Sequence, residues 1–122
     1  MTTQNSNKDL KVRAYWFSVS VIQFIEFCSS DRKIYYSLTD QLIRSSTSIG
    51  ANVVEAKSAS SKKDFIRFYE IALKSANETK YWLCLFRDAI KIDHEKVTIL
   101  LNEVDEISKM IAKSVLTMKK TK

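Results

Sequence analysis

Apolar residues recur at spacings of three and four in four stretches of the chain, the mark of helices that each bury one face. The first stretch runs from about Lys8 to Cys28, with Val12, Tyr15, Trp16, Val19, Ile22 and Ile25 as its expected core stripe and Asn7 as its cap. The second runs from Ile34 to Ser58 and is striped by Tyr35, Leu38, Leu42, Ile49, Val53 and Ala56. The third opens on Ser61-Lys62-Lys63-Asp64, a capping box with aspartate in place of the usual glutamate or glutamine. It carries Phe65, Phe68, Ala72, Ala76, Thr79, Leu83, Phe86 and Ile90 on one seam to about Lys91. The fourth opens at Asp93 and repeats Val97, Leu100, Val104, Ile107, Ile111, Val115 and Met118. Links of a few residues between helices this long make sequence neighbours antiparallel. The expected fold is all-α, an antiparallel up-down-up-down four-helix bundle over residues 8–118, between a disordered N-terminus (1–7) and a basic tail (119–122).

Two helices carry more apolar residues than one stripe requires: Trp16, Phe17, Val21, Phe24 and Phe27 on the first, and Tyr69, Ile71, Tyr81, Trp82 and Leu85 on the third. No helix is surrounded in a bundle this small, so the surplus predicts a subunit interface and a homo-oligomer. The absence of proline agrees with helices throughout. The single glycine, Gly50, sits mid-helix at a cost of about 1 kcal/mol relative to alanine, which predicts either a close helix approach or simple tolerance.

Charge changes the picture further. The formal net charge is +6, and no acidic residue follows Glu106. Such an excess attracts polyanions through counterion release, and it also serves plain solubility. Lys62, Lys63, Lys74, Lys80, Lys113, Lys119 and Lys120 are the candidate phosphate contacts, with Tyr69, Tyr81 and Trp82 interleaved as candidate stacking platforms for RNA bases. One histidine and two cysteines, Cys28 and Cys84 in apolar surroundings, predict free buried thiols and no metal site; no cofactor and no small-molecule substrate are expected. No apolar run reaches membrane-span length and the N-terminus is polar, so the expected location is the cytoplasm.

Polar residues on the second and third helices form the other constellation. Arg44, Ser48, Asn52 and Glu55 share one face, and Arg67, Ser75 and Glu78 are placed similarly. They predict a hydrogen-bonded layer with an Arg44–Glu78 or Arg67–Glu55 pair. Two alternatives are a ligand face at Arg44, Asn52 and Glu55, and a catalytic Glu55–Glu78 pair, which lacks any accompanying histidine, phosphate loop or metal pattern.

The runs Gln41–Ala56 and Lys63–Glu78, with these same polar residues in order, resemble a bacterial family of four-helix-bundle proteins encoded in intervening sequences of large-subunit ribosomal RNA genes. The resemblance extends from about Ile22 to Met118, and departs where the family has glycine and this chain has Ala56. It implies a homo-oligomer, a ring of five subunits, and no established activity. Proteins of related fold accompany the reverse transcriptases of diversity-generating retroelements, which suggests RNA binding or a nucleoprotein accessory role here. A protein-interaction scaffold whose charge only keeps it soluble is the alternative.

Overall fold

The computed structural model describes residues 9–28 and 33–121. Four helices follow one another: α1 (Leu10–Phe27), α2 (Lys33–Ala56), α3 (Lys62–Leu85) and α4 (His94–Lys120). Each packs against its sequence neighbours, α1 closes the ring against α4, and the diagonal pairs barely touch, so the bundle is square and antiparallel as expected. No helix among the described residues is long and apolar enough to cross a membrane.

The caps explain where helices begin. Asp9 accepts a hydrogen bond from the Val12 amide at 3.2 Å and starts α1, whereas the expected cap, Asn7, lies outside the described residues. Ser61 accepts from the Asp64 amide at 3.0 Å, which is half of the capping box; the Asp64 carboxylate turns to Arg67 instead of returning to Ser61. Asp93 accepts from the Lys96 amide at 3.1 Å and starts α4. At the end of α2, where the family's glycine is replaced by Ala56, no left-handed turn is made. The amides of Lys57, Ser58 and Ala59 bond the carbonyls three residues back, a tightened exit that alanine allows. The expected continuation of α2 to Ser58 therefore ends two residues early. The third helix leaves α geometry at Phe86 and makes one wide π turn over Phe86–Ile90. Lys91 then adopts a left-handed conformation (φ 61°) while its amide bonds Phe86 O at 2.8 Å.

The stripes of α2, α3 and α4 lie in the core as predicted: Leu42, Ile49 and Val53, then Ala72, Ala76 and Leu83, then Val97, Val104, Ile107 and Ile111 are all fully enclosed. The prediction for α1 is overturned. Its core face is Leu10, Ala14, Phe17, Val21, Phe24 and Cys28, while Val12, Tyr15, Trp16 and Ile22 are exposed on the opposite side. Of the residues counted as surplus, Phe17, Val21 and Phe24 are core while Trp16 and Phe27 are exposed, and most of the expected stripe is the outer face. The cause is Ala14: its small side chain makes the true core stripe look weak in sequence, yet it lets α1 approach α2 closely beside Gly50. On α3, the expected outward residue Tyr69 is also in the core, stacked on Phe65 at 4.6 Å.

At Gly50 an added methyl would meet Ala14 Cβ at 3.5 Å, ordinary contact rather than a clash. Gly50→Ala should therefore raise stability by about 0.5–1 kcal/mol through helix propensity, read as a higher denaturation midpoint. A lowered midpoint would show that the Ala14–Gly50 approach tolerates no added carbon.

Candidate nucleic-acid interface

The up-down topology brings the starts of α1 and α3 and the ends of α2 and α4 to one end of the bundle. Lys62 and Lys63 from α3 meet Lys113, Lys119 and Lys120 from α4 there. Lys62 is held by the hydroxyl of Thr121, at 2.9 Å, and by its carbonyl. Lys119 and Lys120 continue α4 as its last turn, where cations also favour the helix dipole. The topology adds Lys11 from α1 and Lys57 from the turn after α2, which sequence reasoning missed because they stand far apart in the chain and belong to no basic run.

Most carboxylates at this end are engaged, and Glu55 is the one left exposed without an ion pair among the described residues. Glu70 pairs with Lys119 at 2.9 Å, Asp64 with Arg67 at 3.0 Å, and Asp9 is the α1 cap. Among the described residues Lys11, Lys57, Lys63, Lys113 and Lys120 make no ion pair, so their charge faces solvent. The opposite end carries Asp40, Asp88, Asp93 and Glu95 against Arg44, Arg87, Lys91 and Lys96, which balance. The +6 surplus is thus polarised toward one end.

An open groove of about 610 Å³ runs into that end. Lys11, Lys57 and Lys113 stand around it, with Phe65 and Tyr69 in its wall. Burial pushes the Tyr69 phenol above its ordinary range, so it remains a hydrogen-bond donor at neutral pH.

Two candidate phosphate contacts do not belong to this cluster. Lys74 lies about 18 Å along α3 from Lys62, and Lys80 about 27 Å, at 1.5 Å per residue. Lys80 is also engaged, 3.2 Å from Asp105, which takes Lys109 at 3.2 Å as well. Hydrogen bonds from Lys109 and Lys80 hold the Asp105 carboxyl below the usual carboxylate range.

The α2–α3 polar layer forms, with different members than expected. Ser75 donates to Ser48 Oγ at 2.9 Å, and Asn52 Nδ2 donates to Ser48 Oγ at 3.0 Å and to its carbonyl at 2.8 Å. One turn along, the hydroxyls of Thr79 and Ser45 are hydrogen-bonded at 2.9 Å. The expected Arg44–Glu78 and Arg67–Glu55 pairs are absent. Arg44 is exposed and bonds Asp40 at 2.9 Å, Arg67 bonds Asp64 and covers the Phe68 ring at 4.5 Å, Glu78 accepts from Trp82 Nε1 at 3.2 Å, and Glu55 is exposed. The physical reason is desolvation: each arginine finds a carboxylate one turn away in water, at i−4 or i−3, without entering the helix seam. Neutral hydroxyls can be buried there because each finds a partner, and no enclosed polar side-chain atom among the described residues is left without one. The separated Glu55 and Glu78 form no carboxylate pair.

Among the described residues no three His, Cys, Asp or Glu side chains are grouped to hold a metal. Cys28 and Cys84 are both free thiols, the first buried and the second half-buried. Burial, and secondarily the charge of Asp93, pushes the Cys28 thiol up to about 11. The folded state thus holds this proton more tightly than the unfolded chain, whose thiols titrate near 8.5. The stability it contributes is complete below about pH 8.5 and is lost as pH rises toward 11, by up to about 2 kcal/mol. Urea titrations at pH 8 and pH 10.5 check this: the loss should shrink in Cys28→Ala, and an equal loss in both proteins would rule the thiol out.

The 23S rRNA-intervening sequence protein family matches residues 7–113. No curated protein matches the chain. Among solved structures, a protein of unknown function from the S23 ribosomal protein family of Bacteroides thetaiotaomicron is 35% identical, with a TM-score of 0.81, over 89% of this chain and 96% of its own. Neither description names an enzymatic activity. A family match over most of the length, a close structural neighbour and the ordered polar motifs of α2 and α3 agree: the chain belongs to the 23S rRNA-intervening sequence protein family.

Proposed function

We propose that this is a non-enzymatic, oligomeric RNA-binding protein, a nucleoprotein accessory factor that grips phosphate backbones with the basic end of its bundle. The observation that carries the reading is the convergence of Lys11, Lys57, Lys62, Lys63, Lys113 and Lys120, from three helices and the turn that follows α2, onto that end, where Asp64 and Glu70 are already paired and Glu55 is the carboxylate left exposed. Lysine acts here as a point charge that positions a backbone and reads no base, so binding is weakly sequence-specific.

Assembly follows from α1. Its outer face presents Val12, Tyr15, Trp16 and Ile22 to solvent at helical spacing, and an apolar groove of about 540 Å³ beside it is edged by Ala51 and Val54 of α2. A seam with apolar residues on both sides of one helix suits a second copy of the chain, and the family resemblance implies a ring of five. A ring repeats the basic end in each subunit and multiplies a modest charge into a strong field.

A gel-shift titration with structured RNA at about 50 mM salt tests the reading. Binding should fall steeply with salt. Changing Lys57, Lys62, Lys113 and Lys120 to glutamine should weaken binding by about a hundredfold and flatten the salt slope, whereas Lys74→Gln should do little. No binding into the high micromolar range would leave the scaffold reading in place.

A further inference from the structure

The groove at the basic end is built for more than a passing phosphate. Tyr69 is more than nine-tenths buried, lines the groove, and makes no hydrogen bond with any described residue. Among the described residues no fully enclosed polar side-chain atom lacks a partner, so its hydroxyl opens into the groove and is free to donate to an occupant. The Ser114 and Thr117 hydroxyls line the same space, and Lys11, Lys57 and Lys113 surround it without ion pairs among the described residues. Asp9 lines it too, with one carboxylate oxygen taken by the Val12 amide, so three ammonium groups stand against one carboxylate. Beneath these donors the lining is apolar and partly aromatic, with the stacked rings of Phe65 and Tyr69 beside Met110. At about 610 Å³ the space falls within the roughly 300–1,000 Å³ of small-ligand pockets.

We infer that this groove binds one nucleoside monophosphate unit, its phosphate among Lys11, Lys57, Lys113 and the Tyr69 hydroxyl, and its base against the Phe65 side of the aromatic wall. Three ammonium groups suit a dianion better than a lone carboxylate, and a π-face accepts any of the four bases. The inference deepens the RNA-binding reading by naming the unit this end takes: an unpaired terminal nucleotide of a strand, or a free nucleotide of the same chemistry.

Binding of AMP and of inorganic phosphate, measured by calorimetry on the full chain, tests it. AMP should bind at least about tenfold more tightly than phosphate, because stacking contributes only to the nucleotide. Tyr69→Phe, which keeps the ring and removes only the hydroxyl, should weaken AMP by about threefold to tenfold. Lys57→Gln with Lys113→Gln should weaken it by about thirtyfold or more, and Lys74→Gln should leave it unchanged. Circular dichroism confirms that each variant folds. AMP binding no tighter than phosphate, or unmoved by both Tyr69→Phe and the double lysine variant, overturns the inference. Two RNA arms separate the sources: displacement by AMP of a 5′-phosphorylated single strand, but not of a blunt hairpin, assigns the groove to strand ends. AMP binding without any RNA binding assigns it to a free nucleotide and removes the RNA reading. RNA that binds through the lysines and is not displaced by AMP overturns the groove assignment and leaves the backbone-gripping reading intact.

Discussion

Phe17→Ala is expected to cost about 3–5 kcal/mol, enough to unfold much of the population of a domain this size, while its neighbour Trp16→Ala leaves the stability of the isolated subunit within about 1 kcal/mol. Phe17 is 2% exposed and sits in the centre of the α1 core stripe between Ala14 and Val21. Removing its ring leaves a cavity in the core that the surrounding side chains cannot fill without moving. Trp16 is 59% exposed, with its ring edge-on to Tyr15 at 5.2 Å. Its loss should weaken the proposed assembly: light scattering should give an oligomer for the parent and a shift toward the 14.1 kDa subunit for Trp16→Ala at the same concentration. Chemical denaturation of both variants at low protein concentration settles which face is inside. Equal losses for the two would return the core to the stripe of Val12, Trp16 and Val19.

Arg13→Ala should cost about 2 kcal/mol, and Arg44→Ala less than about 0.5 kcal/mol. Arg13 reaches from α1 to α4 and grips Glu103 with two nitrogens, Nε to Oε2 at 2.7 Å and Nη2 to Oε1 at 3.0 Å. The pair is mostly shielded, and the hydrogen bonds to Glu103 raise the Arg13 pKa. Truncating the arginine leaves a partly buried carboxylate unpaired, a loss below the roughly 3–5 kcal/mol of a fully buried pair because water still reaches Glu103. Arg44 is 73% exposed beside an exposed Asp40, and such surface pairs contribute little. High salt should narrow the difference only slightly. A larger effect at Arg44 than at Arg13 would reinstate the Arg44–Glu78 pair expected from the polar face of α2.

These two comparisons mark where the sequence could be read. Helix α4 was legible throughout, because Val97, Leu100, Val104, Ile107, Ile111 and Val115 keep one unbroken buried stripe, and the exposed Ile99 and Leu116 form no second one. Helix α1 was not: both faces are apolar, and periodicity identifies a helix with two seams without saying which one the bundle takes. The deciding residue, Ala14, is small, and its importance lies in what it allows α2 to do beside Gly50. The polar layer was legible as a layer through Ser48, Asn52 and Ser75, and misassigned in its charges. The spacings Asp40-x-x-x-Arg44 and Asp64-x-x-Arg67 offered the arginines nearer partners and could have corrected it. For the basic end, half the signal was in plain view as lysines at the termini of α3 and α4. Lys11 and Lys57 carry no pattern of their own and become neighbours only after the helices are set up and down.

The square arrangement has a kinetic side. Three of the four helix seams join segments adjacent in the chain, so each can zip from its own short turn at little loop-closure cost. Only the α1–α4 seam joins the two extremities, and it is the sparsest of the four. It has to wait until the other three have formed, and the Arg13–Glu103 grip is what fastens it. The same seam is the natural place for the native molecule to breathe, with α1 swinging away as a unit while α2, α3 and α4 stay packed.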